Sequence, residues 1–476
     1  MKPAVAALAA LTLLRLAVAA DVPLAPDEAY YWVWSRALAP GYLDHPPMVA
    51  LWIRLGTSLA GDGALGVRLL GPLSVALGTW LLADAAEHLL PNRRAGLIAG
   101  ALFNATLFAG AGSVIMTPDT PLLFFWTATL WALSRIASGG DGRWFLAAGA
   151  AAGLALSSKY TAILLWPGVG LWLIWVPGLR VWLRRPMPWL GAAVGFALFV
   201  PVVLWNSLHH WAGFLRQGGR VADWHASRAA GFLVELVAGQ IGLATPLVFL
   251  LCTAGLALAW RQAWRDRDPA MSLLAALSLP AVLVFVQHAL GDRVQGNWPA
   301  IIYPAACIAA ARLSEPRWRR LLRPAVALGG AMTAVVYLVA ALTLPLPPRL
   351  ALIARQLAGW DRLAERVEAV RQQAAATFVV AEPYALAAAL ARSLPDGTEV
   401  IGLDPRWRLT TLPRTSIAGR VGLLVRPDRR GDAPNAAVWS AVTPAGTVNR
   451  TPGEDYALFR VTGALPTADA VALPRP

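Results

Sequence analysis

The chain has 476 residues, of which 57% are hydrophobic and only 14% charged, with a mean hydropathy of +0.54. A soluble protein of this length does not carry so much apolar surface, and apolar runs of about 20 residues recur, so the composition specifies a polytopic membrane protein. The formal charge of +14 is divided among short arginine clusters between those runs, a pattern of loops held on one side of a membrane and not of a nucleic-acid surface.

The two cysteines, Cys252 and Cys307, both fall in apolar runs and read as small core residues, so no disulfide framework or zinc site follows. Positive charge is almost entirely arginine; the only lysines are Lys2 and Lys159, which makes Lys159 conspicuous. Residues 1–20 have the outline of a leader, with Lys2 before an apolar run that ends Ala-Val-Ala-Ala. A retained first span fits the rest of the chain better. Arg15 inside it reads as a buried pairing partner.

In chain order, about eleven spans are predicted: 3–20, 65–83, 95–115, 121–137, 144–157, 161–177, 189–205, 244–260, 270–287, 298–313 and 324–344. Arg93 and Arg94, Arg135 and Arg143, Arg180 with Arg184 and Arg185, Arg261 with Arg265 and Arg267, and Arg317 with Arg319, Arg320 and Arg323 all fall on one side if the N-terminus is cytoplasmic. The roughly 35 residues from Arg143 to Arg180 must then cross twice, as two short helices meeting at Ser157-Ser158-Lys159-Tyr160. The alternative is one long span with Lys159 snorkelling.

The opposite side holds a first loop, 21–64, with amphipathic stretches at 28–38 and 47–59, and a loop at 206–243 with another at 229–241. From about residue 346 the composition turns soluble. A helical pattern (LAGWDRLAERVEAVRQQ) precedes strand-like runs (TFVVA, TEVIGL, GLLVR, YALFRV) and the helix PYALAAALARSL, which together predict a small α/β domain. The expected organisation is a transmembrane domain over 1–345 and a periplasmic α/β domain over 346–476, N-in and C-out.

The first loop opens on Asp27-Glu28, two carboxylates just beyond an apolar span. An ionised carboxylate there can take a proton from a hydroxyl, although Asp27 can equally cap the helix that follows. A second acid, Asp119 in Met116-Thr117-Pro118-Asp119-Thr120-Pro121, falls on the same predicted face, as does Lys159. An ammonium at an apolar boundary needs a carboxylate or an anionic ligand. In Asp44-His45-Pro46-Pro47 the prolines fix the turn, and His45 can donate to a phosphate oxygen. Arg216 and Arg220 can bind a lipid phosphate, or simply contact headgroups. Tyr30, Tyr31, Trp32 and Trp34 read first as an interfacial belt and second as a sugar platform. Two carboxylates, a lysine and nearby Arg and His suit a reaction in which a hydroxyl attacks and a phosphate leaves.

The order span, Asp27-Glu28, Tyr30-Tyr31-Trp32, then Gly41-Tyr42-Leu43-Asp44-His45-Pro46-Pro47 resembles the bacterial protein O-mannosyltransferase-like family. These are C-type glycosyltransferases (GT-C superfamily, glycosyltransferase family 39 type), and their relatives include the aminoarabinose transferases of lipid A. The likeness continues through Thr117-Pro118-Asp119-Thr120-Pro121, Ser158-Lys159-Tyr160-Thr161 and Gly296-Asn297-Trp298-Pro299-Ala300, with a weaker match over Ala381–Pro395. It implies an enzyme of the bacterial inner membrane that moves a sugar from a polyprenyl-phosphate carrier to a periplasmic glycolipid, glycan or protein. It also implies Asp27 as base, with Glu28 in support, and Asp119 as the second acid. Lys159, His45, Arg216 and Arg220 would face the donor phosphate, and Tyr30, Tyr31 and Asp44 would line the substrate. Where aminoarabinose transferases have Glu-Lys-Pro-Pro, this chain has Asp44-His45-Pro46-Pro47, which weakens the case for an aminoarabinose donor. No cofactor is called for, and a divalent-metal requirement is left open.

The rival readings are a transporter or flippase for a lipid-linked sugar, an O-antigen ligase or polymerase using a diphosphate-linked donor, and an inactive binding protein on the same fold.

Overall fold

The computed structural model describes residues 2–92, 94–219, 225–342, 356–430, 433–435, 437–463 and 470–476. They form two compact units, one of Met1–Ala19, Asp44–Val49 and Arg68–Tyr337, the other of Ala20–Leu43, Ala50–Val67 and Leu338–Pro476.

The first unit is helical. Among the described residues, six helices are long and apolar enough to cross a membrane: Pro3–Asp21, Ala64–Leu89, Pro186–Leu208, Pro246–Arg265, Pro269–Ala289 and Pro316–Leu342. Five of them begin at proline, whose missing N–H is not needed in a first turn. The Asp268 carboxylate caps the fifth by accepting the Met271 N–H at 2.7 Å. All eleven predicted spans contain helix, but several are short. The stretch 95–115 is a ten-residue helix, Ala95–Asn104, followed by turns, and 298–313 is a 3-10 turn at Trp298–Ile302 leading into Tyr303–Ala311. Tyr160–Trp175 and Pro177–Arg184 form a pair bent by 116°.

Small residues let these helices approach closely. Helix Trp144–Leu156 carries Gly149 and Gly153, and helix Pro186–Leu208 carries Gly191 and Gly195. A Cβ on Gly149 would come within 1.8 Å of the Gly191 carbonyl oxygen, and one on Gly153 within 2.3 Å of that of Gly195. Two small-xxx-small faces thus meet backbone to backbone, the packing that drives helix association where no hydrophobic effect operates between helices. Fully buried Arg15 donates to Asn104 Oδ1 at 2.9 Å, as a pairing residue should. Cys252 and Cys307 are free, buried and 3.8 Å apart at sulfur.

The second unit is built on a six-stranded mixed sheet, with β1 Phe378–Ala381, β2 Glu399–Gly402, β3 Val421–Pro427, β4 Trp439–Thr451, β5 Glu454–Gly463 and β6 Val471–Ala472. Its order is β4-β5-β3-β1-β2-β6. Central β1 runs parallel to both neighbours, Val379 facing Val400 on one side and Leu423 on the other, and all four of its residues are buried. The four predicted strand runs become β1, β2, β3 and β5. Helices Trp360–Gln373 and Tyr384–Ser393 accompany them, as the periodicity predicts. Phe378, Val380, Ile401, Leu424, Trp439 and Val461 form the core.

The aromatics expected as an interfacial belt are instead buried in this unit. Helix Pro26–Arg36 packs on helix Tyr384–Ser393, and Tyr30, Tyr31, Trp32 and Trp34 are at most 8% exposed. The physical reason is mutual ring packing. Tyr30 sits 4.4 Å from Tyr384 and 5.3 Å from Trp407, and Trp34 stacks on Tyr42 at 4.2 Å.

Candidate functional site

In the helical unit the chemistry gathers where three broken segments meet. Helix Trp144–Leu156 ends at Ser157, and Lys159 is extended (φ −157°, ψ 137°) before the next 3-10 turn, so no single long span runs through it. Lys159 is 7% exposed and its Nζ lies 2.7 Å from Asp119 Oδ1. Asp119 opens helix Asp119–Ala137, and the turn before it is fixed by the Thr120 hydroxyl, which donates to the Ile115 carbonyl and accepts the Thr117 N–H. The second oxygen of Asp119 accepts from Asn297 Nδ2, also at 2.7 Å. Both carboxylate oxygens are therefore engaged, by an ammonium and an amide.

Asn297 was not assigned from sequence. Its only signal is its place in Gly296-Asn297-Trp298-Pro299-Ala300, because an asparagine before a proline-bearing turn is common in any loop.

The Asp44–Pro47 segment joins the same neighbourhood. The Met48 N–H donates to the Ser157 carbonyl at 3.1 Å, tying the Pro-Pro turn to the strand of chain that presents Lys159. Asp44 is buried, its side chain 3.6 Å from Arg216 Nε, and its carbonyl accepts from Gln217 Nε2 at 2.5 Å. His45, next to it, is half-buried. The structure thus brings Asp119 to Lys159 and Asp44 to Arg216; Arg220 lies outside the described residues. A lysine and an arginine, each beside a carboxylate, with a half-buried histidine next to Asp44 in the chain, are groups that can hold a phosphate and stay ordered when it departs.

In the second unit, Asp27 sits in the first turn of helix Pro26–Arg36. It is not the cap of that helix. Ala25 holds that position, and fully buried Glu28 reaches back to accept the Ala25 N–H at 2.9 Å. This spends one Glu28 oxygen on the helix start and leaves Asp27, one residue earlier, on a different part of the turn. Farther along, Trp32 Nε1 and Arg36 Nη1 both reach Asp62 Oδ1 at 3.1 Å, and Arg392 stacks over the Trp32 ring at 4.4 Å while donating to the Asp62 carbonyl. Burial pulls the Arg392 guanidinium down to about 10 against the opposing pull of Asp62. Tyr30 and Tyr31 lie in the aromatic cluster described above.

Residues 44–205 match the family described as dolichyl-phosphate-mannose-protein mannosyltransferase. A lipid A galacturonosyltransferase, RgtD of Rhizobium johnstonii, is 29% identical over 379 residues, 78% of each chain. Among solved structures, ArnT from Cupriavidus metallidurans bound to undecaprenyl phosphate has a TM-score of 0.65 at 16% identity, over 96% of this chain and 97% of that one. The apo state of the same ArnT gives 0.63 at 17%. At that identity the structural likeness is one of fold, and it extends over both compact units. A family match over residues 44–205, a relative at 29% identity and a shared fold point the same way: the chain is similar to the C-type glycosyltransferases of glycosyltransferase family 39 type.

Proposed function

We propose that this protein transfers a sugar from a polyprenyl-phosphate carrier to a lipid A-type glycolipid at the periplasmic face of the bacterial inner membrane, with inversion at the anomeric carbon. The observation that carries the reading is the Asp119–Lys159–Asn297 cluster, an ordered buried cation whose Asp119 and Lys159 lie within the residues matched by the family. The lipid-linked donor is supported by the relative that binds undecaprenyl phosphate, and the acceptor by the relative that acts on lipid A. The proposed topology has eleven spans, the N-terminus in the cytoplasm and the α/β sheet outside, with the short helices shielded by longer neighbours.

In one displacement the acceptor hydroxyl oxygen bonds to the anomeric carbon, the bond from that carbon to the phosphate oxygen breaks, and the hydroxyl proton passes to Asp27. The carrier leaves as its monophosphate. Glu28, committed to the helix start, supports Asp27 by fixing the turn that carries it. Lys159, His45 and Arg216 receive the charge that develops on the departing phosphate, with Arg220 assigned to the same role. Asp119 acts by holding Lys159, since a carboxylate with both oxygens occupied is a poor proton acceptor. Tyr30, Tyr31 and Asp44 are assigned to the substrate's surroundings.

The test is Asp27→Asn, which keeps shape and removes the base. With a matched lipid-linked donor, transfer should fall by about 100-fold or more at unchanged expression. Transfer near the unsubstituted rate would remove Asp27 from the role.

A further inference from the structure

A second cationic feature lies well away from Asp119. Helix Pro246–Arg265 ends, and helix Pro316–Leu342 begins, around a cavity of about 460 Å³ bordered by Arg261, Arg312, Glu315, Arg317, Trp318 and Leu258. Asn297, which binds Asp119, and Arg312 sit at opposite ends of the segment Trp298–Ala311. Its 3-10 and α turns separate them by roughly 23 Å.

Some loop arginines elsewhere are satisfied internally. Arg180 donates to the Ile174 carbonyl at 2.8 Å, Arg267 to the Trp175 carbonyl at 3.0 Å, and Arg135 pairs with Asp84. At the cavity, Glu315 is already taken by Arg317 at 2.7 Å. The Arg261 and Arg312 side chains make no hydrogen bond or ion pair among the described residues. Two unpaired guanidiniums thus share one recess whose wall is completed by Leu258 and an indole. Such a lining offers charge-assisted donors at one end and apolar contact at the other.

We infer that this cavity binds the headgroup of an anionic phospholipid, its phosphodiester between Arg261 and Arg312 and its glycerol carbons against Leu258 and Trp318. The shared chemistry is a phosphate oxyanion, and the lipid is distinguished from free phosphate by the apolar wall.

The experiment uses the full chain in detergent, titrated with phosphatidylglycerol or phosphatidylcholine and read by native mass spectrometry. The unsubstituted protein should retain phosphatidylglycerol preferentially, and Arg261→Gln with Arg312→Gln should weaken that retention by about thirty-fold. Arg265→Gln with Arg319→Gln removes the same charge outside the cavity lining and should change it by no more than about threefold. Equal loss in both variants would reduce the effect to general surface charge and overturn the site. Equal retention of the two lipids by the unsubstituted protein would overturn it even if the cavity variant failed to fold. Displacement of phosphatidylglycerol by equimolar inorganic phosphate would assign the cavity to free phosphate and overturn the lipid.

Discussion

Asp119 and Lys159 show how a pair can be read from sequence while its third member is not. A chain with two lysines exposes the one that sits next to an apolar run, and an intramembrane-edge ammonium demands a carboxylate. Asn297 carries no such demand, because a neutral amide is tolerated in any loop. The pair is 2.7 Å apart with little exposure, so removing one partner strands the other. Lys159→Met or Asp119→Asn alone should destabilise the protein by about 3 kcal/mol, and the double variant should recover much of that loss. Thermal unfolding of the three variants checks this; additive losses would mean that the two groups do not act on each other. Transfer should stay low in the double variant, since the leaving phosphate has lost its cation. Glu28 teaches the complementary lesson. By position alone the two adjacent carboxylates look alike and the resemblance ranks Asp27 first; the Ala25 N–H, accepted by Glu28 at 2.9 Å, gives Glu28 a structural task of its own.

At the scale of elements, periodicity located helices and central strands well and misjudged what covers them. Helix Pro26–Arg36 looks amphipathic as a string, yet everything from Glu28 to Ser35 is buried, because Tyr384, Trp407 and Arg392 come from more than 300 residues away in sequence. No local pattern announces a partner that distant. Strand β4 was missed for a different reason. It pairs with β5 through three register shifts, around Trp439/Ala441, Pro444/Gly446 and Asn449/Thr451, so its residues never alternate cleanly. The glycine contacts of the short helices were also invisible, since a glycine in an apolar run reads only as a weak helix former. Their consequence is testable. Gly153→Leu puts a side chain where a Cβ already meets the Gly195 carbonyl at 2.3 Å, and it should destabilise the bundle by about 3 kcal/mol or prevent its assembly. Gly170→Ala, with nothing within 4 Å of the added carbon, is the matched control and should be nearly neutral. Equal recovery of folded Gly153→Leu and control protein from membranes would contradict the backbone-to-backbone packing.

For the molecule as a whole, composition specified a multi-pass membrane protein and the strand-like runs predicted a C-terminal sheet, and among the described residues the fold has six membrane-length helices and a six-stranded sheet. Of the five predicted spans beyond those six, 121–137 is the continuous helix that opens on Asp119, and the rest are short or broken helices, among them the pair that flanks Lys159 and the one that follows Asn297. Irregular backbone at membrane depth is tolerated where it lines a cavity or is buried in protein, so the departures from ideal spans and the proposed chemistry coincide. The arginine clusters fall on one side if the N-terminus is cytoplasmic, and the headgroup site proposed at Arg261 and Arg312 would draw on one of those clusters. The central claim is that a sugar leaves a monophosphate carrier for a glycolipid. Its most direct test is to reconstitute the purified protein with polyprenyl-phosphate sugar and lipid A, then identify both products by mass spectrometry. The account predicts glycosylated lipid A and an equal amount of free polyprenyl monophosphate, whereas a released diphosphate, or sugar moved across the bilayer with its carrier intact, would contradict it.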